Sequence, residues 1–219
     1  MRTYMTLAAA LALAAGSLDA QDSQPAKDRT PAEQAAIAKV RESGGQVLEI
    51  AHNDPRLDVA FHLSDQPVGD AQLEPLREMP GTVWLNLRGT EVSDAGLAHL
   101  ASLKALEKLH LERTKITDAG LEHLKGLDSL KYLNLYGTAV TDAGLEHLAG
   151  LKTLERLYVW ETKVTEAGIE KIKQALPSVQ VVPDPAAERR LAEIEKRRVA
   201  ELKAQPVEAP RPPAPEKKD

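Results

Sequence analysis

Asp118, Glu122 and His123 lie close together in the stretch ITDAGLEHL from Ile116 to Leu124. Two carboxylates and an imidazole are the material of acid–base catalysis and of metal coordination. Almost the same letters return as VTDAGLEHL from Val140 to Leu148. Neither chemistry survives a wider look. The histidine column His99, His123, His147 continues as Lys171, so it accepts a residue unsuited to ligation. Ligands of one ion must converge to about 2 Å from it, whereas equivalent side chains of successive repeats stand several ångströms apart. Glu122-His123 also lacks the second histidine that a His-Glu-x-x-His zinc helix needs. No Ser/His/Asp set or phosphate-binding loop occurs, so no catalytic residue, metal or cofactor is expected.

The recurrence itself organises the chain. Asp94, Asp118, Asp142 and Glu166 recur at one constant interval. Gly96, Gly120, Gly144 and Gly168 keep the same interval, as do Thr90, Thr114, Thr138 and Thr162. The apolar pairs Leu85/Leu87, Leu109/Leu111, Leu133/Leu135 and Leu157/Val159 share the register, and Phe61/Leu63 reads as a weaker first copy. Each unit opens with period 2, the mark of a strand with one buried face. It continues with leucines three apart, as at Leu121, Leu124 and Leu127, the mark of a short helix with one buried stripe. Neither half buries its apolar face alone; stacked units do, with parallel strands on one side and helices on the other.

These features, carried by LEKLHLERTKITDAGLEHLKGL and its neighbours, resemble the leucine-rich repeat family, in particular bacterial 24-residue repeats of the TDAGL type. The resemblance covers residues 55–182. It implies an α/β fold, a right-handed leucine-rich-repeat solenoid similar to the ribonuclease-inhibitor horseshoe, with parallel concave strands, short convex helices and a helical N-terminal cap. It also implies binding of another protein rather than catalysis. The family's usual strand-end asparagine is replaced by Thr90, Thr114, Thr138 and Thr162. A less regular ladder is expected at that corner.

The acid of TDAGL is explicable as scaffold. Ser93, Thr117, Thr141 and Thr165 precede it and are good N-caps. Because the acid column ends in Glu166, a poor cap, the hydroxyl is the expected cap. The acid then sits in the first helical turn, where the helix dipole favours negative charge. The glycine allows close approach to the neighbouring repeat.

Function is sought on the strand face, where residues between the core leucines point away from the core. Three columns are expected there. The first is Ala60, Trp84, Lys108, Tyr132, Arg156; the second His62, Asn86, His110, Asn134, Tyr158; the third Ser64, Arg88, Glu112, Tyr136, Trp160. Apart from Phe61 and Tyr4, every aromatic of the chain falls in these columns, although aromatics are only 3% of it. Tyr132, Tyr136, Tyr158 and Trp160 should gather into one cluster, with Arg88, Lys108 and Glu112 as a polar rim. Tyr, Trp and Arg are the types enriched in binding hot spots.

The ends bound the setting. Residues 1–20 read as a signal peptide: Arg2, a short apolar run, then Ala20. The run is too short to span a bilayer, and no later segment could. Residues 21–29 read as a linker and 30–54 as a cap, with Thr30-Pro31-Ala32-Glu33 a capping box, a helix to about Ser43 and a strand over Gln46–Ile50. Val179, Val181 and Val182 suggest a last strand, ended by Pro183 and Pro185. Residues 183–204 read as a charged helix and 205–219 as a proline-rich tail. The chain has 219 residues, no cysteine and a net charge of −5, which excludes disulfides and argues against general nucleic-acid affinity. The expectation is a non-enzymatic protein, exported to the periplasm or secreted. It binds another protein through Trp84, Arg88, Lys108, His110, Glu112, Tyr132, Tyr136, Arg156, Tyr158 and Trp160. A glycan- or cell-wall-binding module and a structural envelope component are the alternatives.

Overall fold

The computed structural model describes residues 29–52 and 54–183. The expected signal peptide, most of the linker and charged helix, and the proline-rich tail lie outside the described residues. Helix α1 (Pro31–Glu42) starts where Thr30 Oγ1 accepts the Glu33 amide at 3.1 Å, with proline at the first helical position. The capping box is only half made, because the Glu33 carboxylate pairs instead with the buried Arg29 at 2.7 Å. Arg29 also reaches Glu49, which ties α1 to strand β1 (Gln46–Glu49).

Strand β1 runs antiparallel to β2 (Leu57–Ala60). From there the strands are parallel and in chain order: β3 (Thr82–Asn86), β4 (Lys108–His110), β5 (Tyr132–Asn134), β6 (Arg156–Tyr158) and β7 (Gln180–Val182). Short helices lie between them: a 3-10 segment over Asp70–Glu78, α2 (Asp94–Leu97), α3 (Asp118–Leu121), α4 (Asp142–Glu146) and the longer α5 (Glu166–Ala175). The leucines of both layers form one continuous core from Ala36 to Val181. A single buried Leu→Ala change in such a core costs about 2–5 kcal/mol.

The register of β3 through β6 follows the repeat interval, with Trp84 opposite Lys108, Lys108 opposite Tyr132 and Tyr132 opposite Arg156. The first repeat does not follow it. Asp58 faces Trp84, and Ala60 faces Asn86. The inward pair is Val59/Phe61, while Leu63 is 59% exposed and no part of the core. The turn between Phe61 and Val68 is longer than its counterpart between Leu87 and Val92, and the insertion shifts this unit. Ala60 therefore moves to the second column, and His62 and Ser64 fall in the turn.

The threonine corner is as regular as the rest, against expectation. Thr90, Thr114 and Thr138 each donate Oγ1 to the carbonyl three residues back at 2.7 Å, and Thr162 does so at 2.6 Å. Their amides point to the same carbonyls. The shorter side chain closes a turn within its own repeat and leaves stacking to the backbone. In that stacking, Gly89, Arg113 and Gly137 donate their amides to the carbonyls of Glu112, Tyr136 and Trp160 at 2.8, 2.7 and 3.0 Å. Those donors need a left-handed backbone, with φ of 70°, 54° and 67°. Glu161 continues the column at φ 52°. Glycine takes this conformation freely, whereas Arg113 and Glu161 are strained by it.

Candidate functional site

The helix-start motif has a tighter structural use than dipole compensation. Asp70, Asp94, Asp118 and Asp142 each accept two hydrogen bonds from the next repeat, one from an amide and one from a hydroxyl. For Asp118 the donors are Thr141 N and Thr141 Oγ1, both at 2.7 Å. The same pair is made by Ser93 to Asp70, Thr117 to Asp94 and Thr165 to Asp142, at 2.6–2.8 Å. Three of the hydroxyls also accept a helix amide at 3.2–3.4 Å, from Ala119, Ala143 and Gly168; Ser93 accepts none. A Cβ at Gly96, Gly120, Gly144 or Gly168 would strike the aspartate of the preceding repeat. Threonine, aspartate and glycine are therefore one device, a carboxylate staple between successive units. Glu166 departs from aspartate where no further staple follows among the described residues. The two bonds from Thr165 hold the Asp142 carboxyl below its ordinary value.

The histidine column offers no comparable assembly. His99, His123 and His147 are half-buried on the helix flank. Among the described residues no group of three or more His, Cys, Asp or Glu is arranged to hold a metal ion.

The strand face brings its rings into two groups rather than the expected single cluster. His110, Tyr132 and Tyr158 form one row, with centroids 4.8 and 5.2 Å apart. Tyr136 stacks on Trp160 at 4.7 Å and 17° in the other. Among the described residues no ring contact joins the two. The spacing explains the split: Tyr132 and Tyr136 are four positions apart along one chain, about 13 Å at strand rise. Arg113, which sequence reasoning passed over, extends the second row. Its guanidinium lies 5.1 Å from the Tyr136 centroid and donates to the Tyr136 hydroxyl at 2.7 Å. Its position in the left-handed column, shared with two glycines, was the available signal.

Glu112 is not on a rim. It is 7% exposed and sits between the rows. Its Oε1 lies 2.8 Å from His110 Nδ1 and accepts Asn134 Nδ2 at 2.7 Å. Its Oε2 is buried without a hydrogen-bond partner among the described residues. Asn134 Nδ2 also reaches the Tyr132 hydroxyl at 3.3 Å, and Asn134 Oδ1 accepts the Tyr136 amide at 3.1 Å. This polar hub fixes the His110 ring against Tyr132 and links the two rows from beneath. Burial keeps the Tyr132 phenol above its ordinary value, so it remains neutral.

The other expected residues spread outward. Lys108 is exposed and holds its Nζ 4.0 Å above the Trp84 ring, a cation–π contact that takes Trp84 away from the tyrosine rows. Arg156 and Arg88 are exposed, at opposite ends of the face. Asp58, brought in by the shifted register, lies opposite Trp84. Burial raises its carboxyl above the ordinary value despite His62, His110 and Lys108 nearby.

Residues 104–163 match the family model for the leucine rich repeat. That segment is thus similar to leucine-rich repeats, and it lies within an α/β array in which parallel strands and short helices alternate. Solved structures similar to the chain include an internalin C2 from Listeria monocytogenes, at 28% identity and a TM-score of 0.43 over 50% of this chain and 44% of that one. A second internalin of that bacterium gives 17% identity and 0.37 over 49% and 36%. A leucine-rich-repeat protein of Leptospira interrogans gives 19% and 0.38 over 50% and 33%. The chain thus spans less than half the length of each of these. No curated protein matches it. Leucine-rich-repeat proteins in general mediate protein–protein interaction and are typically not enzymes.

Proposed function

We propose that this is an exported, non-enzymatic protein that binds another protein through its strand face, with Tyr132, Tyr136, Tyr158 and Trp160 at the centre of the contact. The observation that carries this is the unequal use of side chains. On the helix side the repeated aspartates and hydroxyl residues use their hydrogen bonds within the fold, and the repeated leucines are buried. On the strand face the residues that vary between repeats present two rows of rings, with Trp160 36% exposed. Rings already held against one another on a rigid scaffold bind at low entropic cost. Lys108, Arg88 and Arg156 form the charged border. Among the described residues no helix is long and apolar enough to cross a membrane.

The test is a pull-down from envelope extracts with the native chain beside a Tyr158→Ala/Trp160→Ala variant. A protein retained by the first and lost from the second supports the reading; equal retention contradicts it. The stacked Tyr136–Trp160 pair could also serve a sugar ring. A glycan array, in which a bound sugar is lost on Trp160→Ala, distinguishes that case.

A further inference from the structure

The concave rings have a candidate occupant within the chain. Residues 205–219 carry prolines at 206, 210, 212, 213 and 215, giving two overlapping Pro-x-x-Pro motifs, Pro210 to Pro213 and Pro212 to Pro215. Proline fixes φ near the polyproline II value, so such a segment enters that helix at little entropic cost. Polyproline II segments dock on surfaces lined with aromatic side chains.

The dimensions agree. Polyproline II has three residues per turn and rises about 3.1 Å per residue, so prolines three apart recur every ~9.3 Å. His110 and Tyr158 occupy one register column with Asn134 between them. They are two strands apart, about 9.6 Å at ordinary strand spacing. Tyr136 and Trp160 stack on each other as the second row of rings on the same face.

The connection also agrees. Pro183 follows β7, which pairs directly with β6, the strand that carries Tyr158 and leads into Trp160. Twenty-two residues lie between Pro183 and Pro206, a contour longer than the roughly 14 Å from β7 to β4 in either helical or coil form. A tether of this kind gives an effective concentration on the order of millimolar, enough to favour a weak contact within one molecule.

We propose that Pro206–Pro215 docks on the concave rings of its own chain as a polyproline II helix and competes with the external partner. This rests on the reading of the strand face as a binding surface. The segment is then a built-in competitor, and the partner must displace it.

The test uses full-length chains. One variant replaces Pro210, Pro212, Pro213 and Pro215 with alanine, changes that lie outside the repeat core. The synthetic peptide PVEAPRPPAPEKKD is titrated into this variant and into the native chain, followed by calorimetry and tryptophan fluorescence. The peptide should saturate the variant and bind the native chain at least about fivefold more weakly, because the tethered copy competes. Adding Tyr158→Ala/Trp160→Ala to the proline variant should abolish binding. No saturation of the proline variant, or equal binding to both chains, overturns the proposal. So does a mass that rises with concentration in the native chain alone, since the segment would then be binding a second copy. If the peptide fails while a pulled-down partner is still lost on Tyr158→Ala/Trp160→Ala, only the tail proposal falls. If both fail, the binding face falls with it.

Discussion

Two carboxylates close together in the chain, Glu112 and Asp118, show how differently the two sides of this solenoid use the same chemistry. Asp118 accepts an amide and a hydroxyl from the next repeat, and its counterparts in neighbouring repeats do the same. Glu112 has no counterpart in its own column, where the other repeats carry Arg88, Tyr136 and Trp160. It holds His110 and Asn134 with one oxygen and leaves the other unpartnered among the described residues. At the helix start, repetition marks residues whose bonding capacity the fold consumes. Variation marks those that only one place on the surface uses.

The largest loss of stability is expected at the staple. Asp118→Ala removes two charge-assisted hydrogen bonds between repeats, each worth about 1.5–3 kcal/mol, so unfolding free energy should fall by roughly 3 kcal/mol or more. Urea denaturation measures this, and a change of a few tenths would mean that the leucines alone set the stacking. Gly144→Ala should cost about 1–3 kcal/mol, because its methyl group meets the Asp118 carboxylate. On the strand face the effect on stability should be smaller. Trp160→Ala gives up a stacked pair worth about 0.5–1.5 kcal/mol beyond its buried area, while the expected loss of binding is complete. Glu161→Gly should raise stability by up to about 1 kcal/mol, since it relieves a left-handed side chain; a drop would show that Glu161 makes a contact worth more than its strain.

Acid should separate the two sides as well. The Asp142 carboxyl is depressed in the folded protein by its bonds from Thr165. Its contribution to stability is therefore present above the unfolded carboxylate value of about 4 and is lost as pH falls through the lower folded value. Thermal melts of native and Asp142→Asn chains should differ at pH 7 and converge toward pH 2. Asp58 behaves oppositely: burial raises its carboxyl, so its charged form destabilises the fold at neutral pH. Asp58→Asn should raise the melting temperature at pH 7 and lose that advantage in acid.

The repeat, the parallel strands and the buried leucines were legible because a constant repeat length acts through simple periodicities. The first strand was not, since the lengthened turn moved the pairing from Phe61/Leu63 to Val59/Phe61 without changing the apolar pattern. The staple was missed for a related reason. Asp118 and Thr141 are far apart in sequence, and their bond is visible only once the repeats are stacked. Glu112 was read as rim from its column, whereas its burial depends on His110 and Asn134 closing over it. Arg113 was hidden by a backbone conformation that only its glycine neighbours in the column betray.

The central question is whether the variable rings, and not the repeated corner, carry binding. The most direct test measures the affinity of the retained partner and the urea midpoint together, for the native chain, Tyr158→Ala/Trp160→Ala and Asp118→Ala. The double variant should lose binding while still folding, with a smaller fall in midpoint than Asp118→Ala gives, and Asp118→Ala should lower the midpoint while the remaining folded protein binds with native affinity. Native affinity in the double variant, or its loss in folded Asp118→Ala, would contradict this division of roles.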